Sequence, residues 1–252
     1  MNMIQVENIS KIYGSTNSTN QYQALRDISF VVKQGEFIGV MGASGSGKTT
    51  LLNILGSLDK PTSGRFIMNE KDIAGLSKKE LATHRIENIG FIFQDYNLLE
   101  TMTLKENIIL PLALQGASVE EIEVKLRPLI TDLGITEVID KYPYEVSGGE
   151  QQRTAACRAL ITKPKLILAD EPTGNLDSRS SKDLLHLLTY INKEYGVTIL
   201  MVTHDVFAAS YCQKIMFIRD GKIYNELYAG DDKKQFFDAI IDVMSVLGGE
   251  RP

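Results

Sequence analysis

Gly42-Ala-Ser-Gly-Ser-Gly47-Lys48-Thr49 meets the spacing G-x-x-x-x-G-K-[ST] in full, and it narrows the fold more than any other feature of the chain. By residue frequencies alone about one chain in a hundred of this length would carry it, so its setting matters. An apolar run from Phe37 to Met41 precedes the loop as a buried strand would, and Thr50-Leu-Leu-Asn-Ile-Leu55 follows as a helix would. Glycines let the backbone turn tightly enough for successive N–H groups to point at phosphate oxygens, and the helix N-terminus adds partial positive charge. Gly42, Ser44, Gly45, Ser46, Gly47, Lys48, Thr49 and Thr50 are therefore the candidate phosphate-binding residues. Lys48 would reach the β- and γ-phosphates, and the Thr49 hydroxyl would ligate Mg²⁺. The pattern implies a nucleoside-triphosphate site on a strand–loop–helix unit.

With 252 residues the chain suffices for one large α/β domain carrying an insertion, or for two small domains. Its net charge of −5 gives no basic stripe, so no nucleic-acid partner is expected. No apolar run approaches the ~20 residues that span a bilayer, and Met1-Asn-Met-Ile-Gln-Val lacks the regions of a signal peptide. Cys157 and Cys212 stand far apart without metal-ligand spacing and read as buried apolar residues. A cytosolic protein is expected, with any membrane role supplied by a partner.

Ile4 to Ile9 and Ile28 to Val32 read as strands, with a hairpin-like turn at Lys33-Gln-Gly35-Glu and a polar loop over Gly14 to Asn20. Pro61 to Gly64 turns into a strand at Arg65 to Met68. Lys78 to Glu87 reads as a short helix and Ile89 to Phe93 as another strand. From about Leu104 to Leu160 the periodicity is helical, with Ile122, Val124, Leu126, Leu129 and Ile130 at helix spacing and Gly134 as a stop. Strands return at Leu166 to Ala169, Thr198 to Val202 and Ile215 to Ile218, with a helix between the first two. The economical architecture is a helical insertion inside a parallel-sheet core.

Leu166-Ile-Leu-Ala-Asp170-Glu171 is an apolar strand ending in two carboxylates. Ligands of open parallel sheets sit at the carboxyl ends of strands, which is where this pair would meet the phosphate loop. Asp170 would hold Mg²⁺, and Glu171 would polarise the water that attacks the γ-phosphate. His204 ends a further strand, where it could reach the γ-phosphate. Ser147-Gly148-Gly149-Glu150 opens a helix expected over Gln151 to Leu160, forming a second anion site. A second site a hundred residues away suggests a nucleotide held by another subunit.

Over essentially its whole length the chain resembles the ATP-binding subunits of ABC transporters. Ser147-Gly-Gly-Glu-Gln is similar to the ABC signature, with Val146 in place of the usual leucine and Glu150 in place of the usual glutamine. Gln94 resembles the Q-loop glutamine, Gly174-Asn-Leu-Asp177 the D-loop and His204 the switch histidine. Tyr13 resembles the aromatic that stacks on adenine, with Tyr22 a nearby competitor. The resemblance implies a RecA-like P-loop NTPase core, an N-terminal antiparallel β subdomain and an inserted α-helical subdomain. Residues 1–230 would form the ATPase domain, with the helical part over about 95–163, and 231–252 a helical tail packed on it. Two chains would sandwich two ATP molecules. Each ATP would lie between Lys48, Thr49, Asp170 and Glu171 of one chain and Ser147 to Gly149 of the other, with Gln94 joining the metal ligands and Asp177 and His204 tying the sites together.

Gln94-Asp-Tyr-Asn-Leu-Leu99 with Thr103 to Pro111, and Met201 to Cys212, are similar to the bacitracin-type antimicrobial-peptide resistance ATPases within the macrolide-exporter and lipoprotein-release branch. So is the tail, with Phe236-Phe and Val246-Leu-Gly-Gly249. That likeness implies a membrane permease docking near Gln94 to Leu99, an ATPase attached through it to the cytoplasmic face of the cell membrane, and a link to a sensor histidine kinase. Macrolide efflux, lipoprotein release and a non-transport ABC ATPase are the alternatives. Phe236, Phe237, Ile240, Ile241, Met244 and Leu247 lie at helical spacing and are expected to cover the chain's own domain.

Overall fold

The computed structural model describes residues 2–14 and 21–248, so most of the expected polar loop over 14–20 and the last residues of the tail lie outside the described residues. In chain order the first elements are β1 (Asn2–Tyr13), β2 (Tyr22–Lys33), β3 (Phe37–Met41), α1 (Lys48–Leu55), β4 (Ser63–Met68), β5 (Lys71–Asp72) and α2 (Lys78–Asn88). Then follow β6 (Ile89–Phe93), α3 (Leu104–Leu114), α4 (Val119–Asp132), α5 (Gly148–Leu160), β7 (Leu166–Asp170) and α6 (Ser178–Tyr195). The chain closes with β8 (Thr198–Val202), α7 (Val206–Ala209), β9 (Lys214–Arg219), β10 (Lys222–Tyr228) and α8 (Lys233–Gly248). Two compact units result, Met1–Ala82 with Thr198–Pro252, and Thr83–Val197.

The first unit holds an antiparallel sheet of order β2-β1-β4-β5 and the strands β10-β9-β3-β8. β3 lies between β8 and β9, parallel to both, and all five of its residues are buried. A strand covered on both faces reads as a continuous apolar run, which is why Phe37 to Met41 does not alternate. On α1, Leu51, Leu52, Ile54 and Leu55 are buried, each contributing about 2 kcal/mol of transfer free energy.

The turn at Lys33–Glu36 does not close a hairpin: β2 pairs with β1, whereas β3 pairs with β8 and β9. It joins two sheets instead. Glu36 Oε2 accepts from Lys33 N at 2.8 Å, and Gly35 N donates to Thr198 Oγ1 at 2.9 Å. β10, which hydrophobic patterning alone does not reveal, runs antiparallel to β9 beyond Asp220 and Gly221, both in the left-handed region. α8 lays Phe236 and Ile240 into its own unit, while Ile241 and Val246 are exposed. Cys157 and Cys212 are free and buried, and burial pushes both thiols far above the usual range.

In the second unit β6 and β7 pair in parallel, with Phe93 opposite Asp170. The helices α3 to α5, expected as an insertion over 95–163, share this unit with β6, β7 and α6. Thr103, Ser118 and Ser147 start α3, α4 and α5, each through a reciprocal capping box with Glu106, Glu121 and Glu150. α4 ends before Gly134, whose φ is 66°. Val124 stands off the buried stripe of Leu126, Leu129 and Ile130 and is 74% exposed.

Candidate active site

In the first unit the 42–47 loop leaves the end of β3 and closes around the side chain of the lysine that follows it. Lys48 is buried, and its Nζ donates to Gly42 O at 2.9 Å and Ala43 O at 3.0 Å. Glycine is required where this turn is tightest. Gly47 has φ 108°, and a Cβ there would stand 2.5 Å from Ala24 O. A Cβ on Gly42 would run into the carbonyl of Ile218. The start of α1 has neither a side-chain cap nor an acidic residue in its first turn, so its amides are left for an anion. The Ser46 hydroxyl is buried with no hydrogen-bond partner among the described residues. Those features fit a bound triphosphate. Thr49 is exposed beside them and Thr50 half-buried.

The two tyrosines differ in what holds them. Tyr13 Oη donates to Asp59 Oδ2 at 2.9 Å, and Lys11 Nζ lies 4.8 Å from its ring centroid. Burial, with the Asp59 charge, raises the Tyr13 pKa. Asp59 goes the other way: burial opposes ionisation, but hydrogen bonds from Lys11 and Tyr13 outweigh it and lower its pKa. Tyr22 Oη donates to Gly45 O at 2.9 Å, tying it to the phosphate loop itself. His204 is exposed just past β8, where Val202 is paired with Val40. Thr203 N donates to Val40 O at 3.1 Å, so His204 and the phosphate loop leave the same edge of the sheet.

In the second unit the pairing of Phe93 with Asp170 brings Gln94 and Glu171 out together at the carboxyl edge of β6 and β7. Glu171 has φ 45°, a sparsely populated conformation for a non-glycine residue and one that recurs at functional sites. Gly174 N donates to Glu171 O at 2.9 Å, and Gln152 Nε2 on α5 donates to Pro172 O at 3.2 Å. Asp177 then caps α6, its Oδ1 accepting from Arg179 N at 2.9 Å and Ser180 N at 3.0 Å. The Ser180 hydroxyl, then those amides, hold the Asp177 carboxyl below the usual carboxylate range.

Ser147 is the N-cap of α5, and the helix starts at Gly148, earlier than the expected Gln151. The carboxylate of Glu150 turns back on its own helix start. Its Oε2 accepts from Ser147 N at 2.8 Å and from Ser147 Oγ at 2.7 Å. Those bonds lower the Glu150 pKa, the Ser147 hydroxyl contributing most. Ser147 Oγ accepts from Glu150 N at 3.4 Å, which leaves Gly148 and Gly149 as the first-turn donors.

Sequence patterning did not reveal how the segment after Gln94 is braced. Tyr96 and Asn97 both have positive φ, and Arg158 on α5 donates to the carbonyl oxygens of both, at 2.7 Å to Tyr96 O. Further on, fully buried Asn107 accepts from Leu99 N at 2.7 Å and donates to Leu99 O, Met102 O and Thr103 O. A Cβ on Gly148 would stand 2.9 Å from Tyr96 Oη, so loop and signature serine-glycine segment touch.

The profile of the ABC transporter family matches residues 25–174, from within β2 through the carboxylate turn. The chain belongs to the ABC transporter family. This ABC protein is an ATP-binding subunit and an ATPase. It is 50% identical over 250 residues to the uncharacterized ABC transporter ATP-binding protein YvcR of Bacillus subtilis (strain 168), covering 99% of this chain and 96% of that one. Identity is 48% over 250 residues to the bacitracin export ATP-binding protein BceA of Halalkalibacterium halodurans, covering 99% and 98%. Among solved structures, the dimeric post-hydrolysis state of the ATP-binding cassette MJ0796 bound to ADP and Pi matches with a TM-score of 0.82. Identity there is 36%, over 90% of this chain and all of that one.

Proposed function

We propose that this ABC ATPase powers a membrane permease that protects the cell against cell-wall-targeting peptide antibiotics of the bacitracin type. The observation that carries the reading is similarity to a bacitracin export ATP-binding protein across 99% of this chain, beyond both ends of the family match at 25–174. No helix among the described residues is long and apolar enough to cross a membrane, and the membrane-spanning part would be supplied by the permease. It would dock on the braced loop from Gln94 to Leu99, place the ATPase at the cytoplasmic face of the cell membrane, and pass a signal to a sensor histidine kinase.

Two copies would sandwich ATP, as the dimeric form of MJ0796 supports. Lys48 and the amides of the phosphate loop would hold the phosphates, and Tyr13 would stack on adenine with Tyr22 latching the loop. Ser147, Gly148 and Gly149 would meet the partner copy's nucleotide. Mg²⁺ supplies charge neutralisation at the phosphates when bound. Among the described residues no group of three or more His, Cys, Asp or Glu is placed to hold a metal. Thr49, Asp170 and Gln94 would hold Mg²⁺ together with phosphate oxygens. Glu171 would orient and partly deprotonate the attacking water, with His204 at the γ-phosphate.

The test is to delete the gene in its host and titrate bacitracin, while a tagged copy is purified from detergent-solubilised membranes. Raised bacitracin sensitivity and a co-purified permease with a large extracellular domain are expected. A four-span partner with unchanged bacitracin sensitivity would replace this reading with macrolide efflux or lipoprotein release.

A further inference from the structure

Asn175 makes three polar contacts, all to the loop that begins at Gln94. Its Nδ2 donates to Asp95 Oδ1 at 2.7 Å and to Gln94 O at 3.3 Å, and its Oδ1 accepts from Gln94 Nε2 at 3.1 Å. The direction of this network follows from its chemistry. A carboxylate and a backbone carbonyl only accept, so the asparagine must turn its NH₂ toward both. Its oxygen is then the group that meets the Gln94 side chain, and Gln94 must answer with its own NH₂. Gln94 Oε1, the end of that amide with lone pairs for a cation, is the end left outside the clamp. Gly174 lets the two segments approach this closely: a Cβ there would stand 2.8 Å from Gln94 Cδ and Nε2.

We infer that Asn175 is a positioning residue that selects the amide orientation of Gln94, and that the selection is set by the Asp95 carboxylate. This rests on the reading of Gln94 as a nucleotide-site residue. The same side chain sits two positions before Asp177, the cap of α6. A shift of the 95–99 loop therefore reaches both the Gln94 amide and the turn that leads into α6.

Asn175→Asp is the informative variant. It keeps an acceptor for Gln94 Nε2 but sets two carboxylates against each other across the present 2.7 Å contact. Adding Asp95→Asn reverses the donor and acceptor of that contact and restores it. Two quantities are read on the purified full-length protein. One is hydrogen exchange over 94–97 without nucleotide, and the other is the Mg²⁺ concentration for half-maximal ATPase. Asn175→Asp is expected to raise both by about fivefold, the equivalent of one lost hydrogen bond, and the double variant to return both toward wild type. Failure of Asn175→Asp to move either quantity, or failure of the double variant to restore them, overturns the inference. Gln94→Ala separates the premise: if the Mg²⁺ requirement does not change, the role of Gln94 falls and the inference falls with it. If Gln94→Ala raises the requirement while Asn175→Asp does not, the inference alone is lost.

Discussion

Arg158 Nη2 donates to the backbone oxygen of Tyr96 at 2.7 Å, joining the helix that opens with Ser147 to the loop that follows Gln94. Burial lowers the pKa of this guanidinium, so its placement is costly and its hydrogen bonds matter accordingly. Arg158→Ala is expected to lower unfolding free energy by about 2 kcal/mol and to speed hydrogen exchange over residues 96–97. Urea unfolding and exchange rates equal to wild type would mean that the clamp holds nothing.

Lys48→Met keeps the apolar stem and removes the ammonium that Gly42 O and Ala43 O surround. ATP affinity is expected to fall by more than about tenfold, as read by titration with a fluorescent nucleotide. Wild-type affinity in that variant would remove Lys48 from the phosphate site.

Glu171→Gln preserves shape at a residue already held at φ 45° and removes its basicity. Hydrolysis is expected to drop by about a hundredfold or more, with the protein eluting as a dimer in ATP. A variant that hydrolyses ATP at the wild-type rate would place the base elsewhere.

Tyr13 and Tyr22 should separate cleanly. Tyr13→Phe loses the hydroxyl with its bonds to Asp59 and Thr50, whereas Tyr13→Ala loses the ring, so only the second should weaken ATP binding by about fivefold or more. Equal losses for both variants would shift the role from the ring to the hydroxyl, and an unaltered Tyr13→Ala would favour Tyr22 for adenine.

Acid should loosen the second unit first at its helix starts. Glu150 and Asp177 have folded pKa values below their ordinary ones. Between the folded and unfolded values the unfolded chain binds more protons, so their contribution is complete above the ordinary carboxylate range near pH 4. It is lost as pH falls through the folded values. Unfolding free energy measured from pH 6 to pH 3 should therefore decline less steeply in Asp177→Asn than in wild type.

The parts of the site that lie along the chain were legible in the sequence, because they depend on consecutive residues. The phosphate loop needs its glycines and lysine at fixed spacing, and Asp170-Glu171 needs only an apolar strand before it. The bracing of the 94–103 segment was not legible, since Arg158 and Asn175 come from distant positions while Arg158 and Asn107 bond to backbone, which leaves no local pattern. Some signals were present and unread. Asp220-Gly221 is a strong hairpin dipeptide and announces β10. Thr103-x-x-Glu106 and Ser118-x-x-Glu121 announce the starts of α3 and α4. The Lys33–Glu36 turn is hairpin-like in sequence, but local turn chemistry does not report which sheet the next strand joins.

Asn107 reaches the loop only through main-chain atoms of Leu99, Met102 and Thr103, and Arg158 only through carbonyls of Tyr96 and Asn97. The course of the loop is thus largely written by residues outside it and is indifferent to much of what the loop itself displays. The exposed side chain at 99 is free to be exchanged, one recognition surface for another, over a backbone that need not relearn its path.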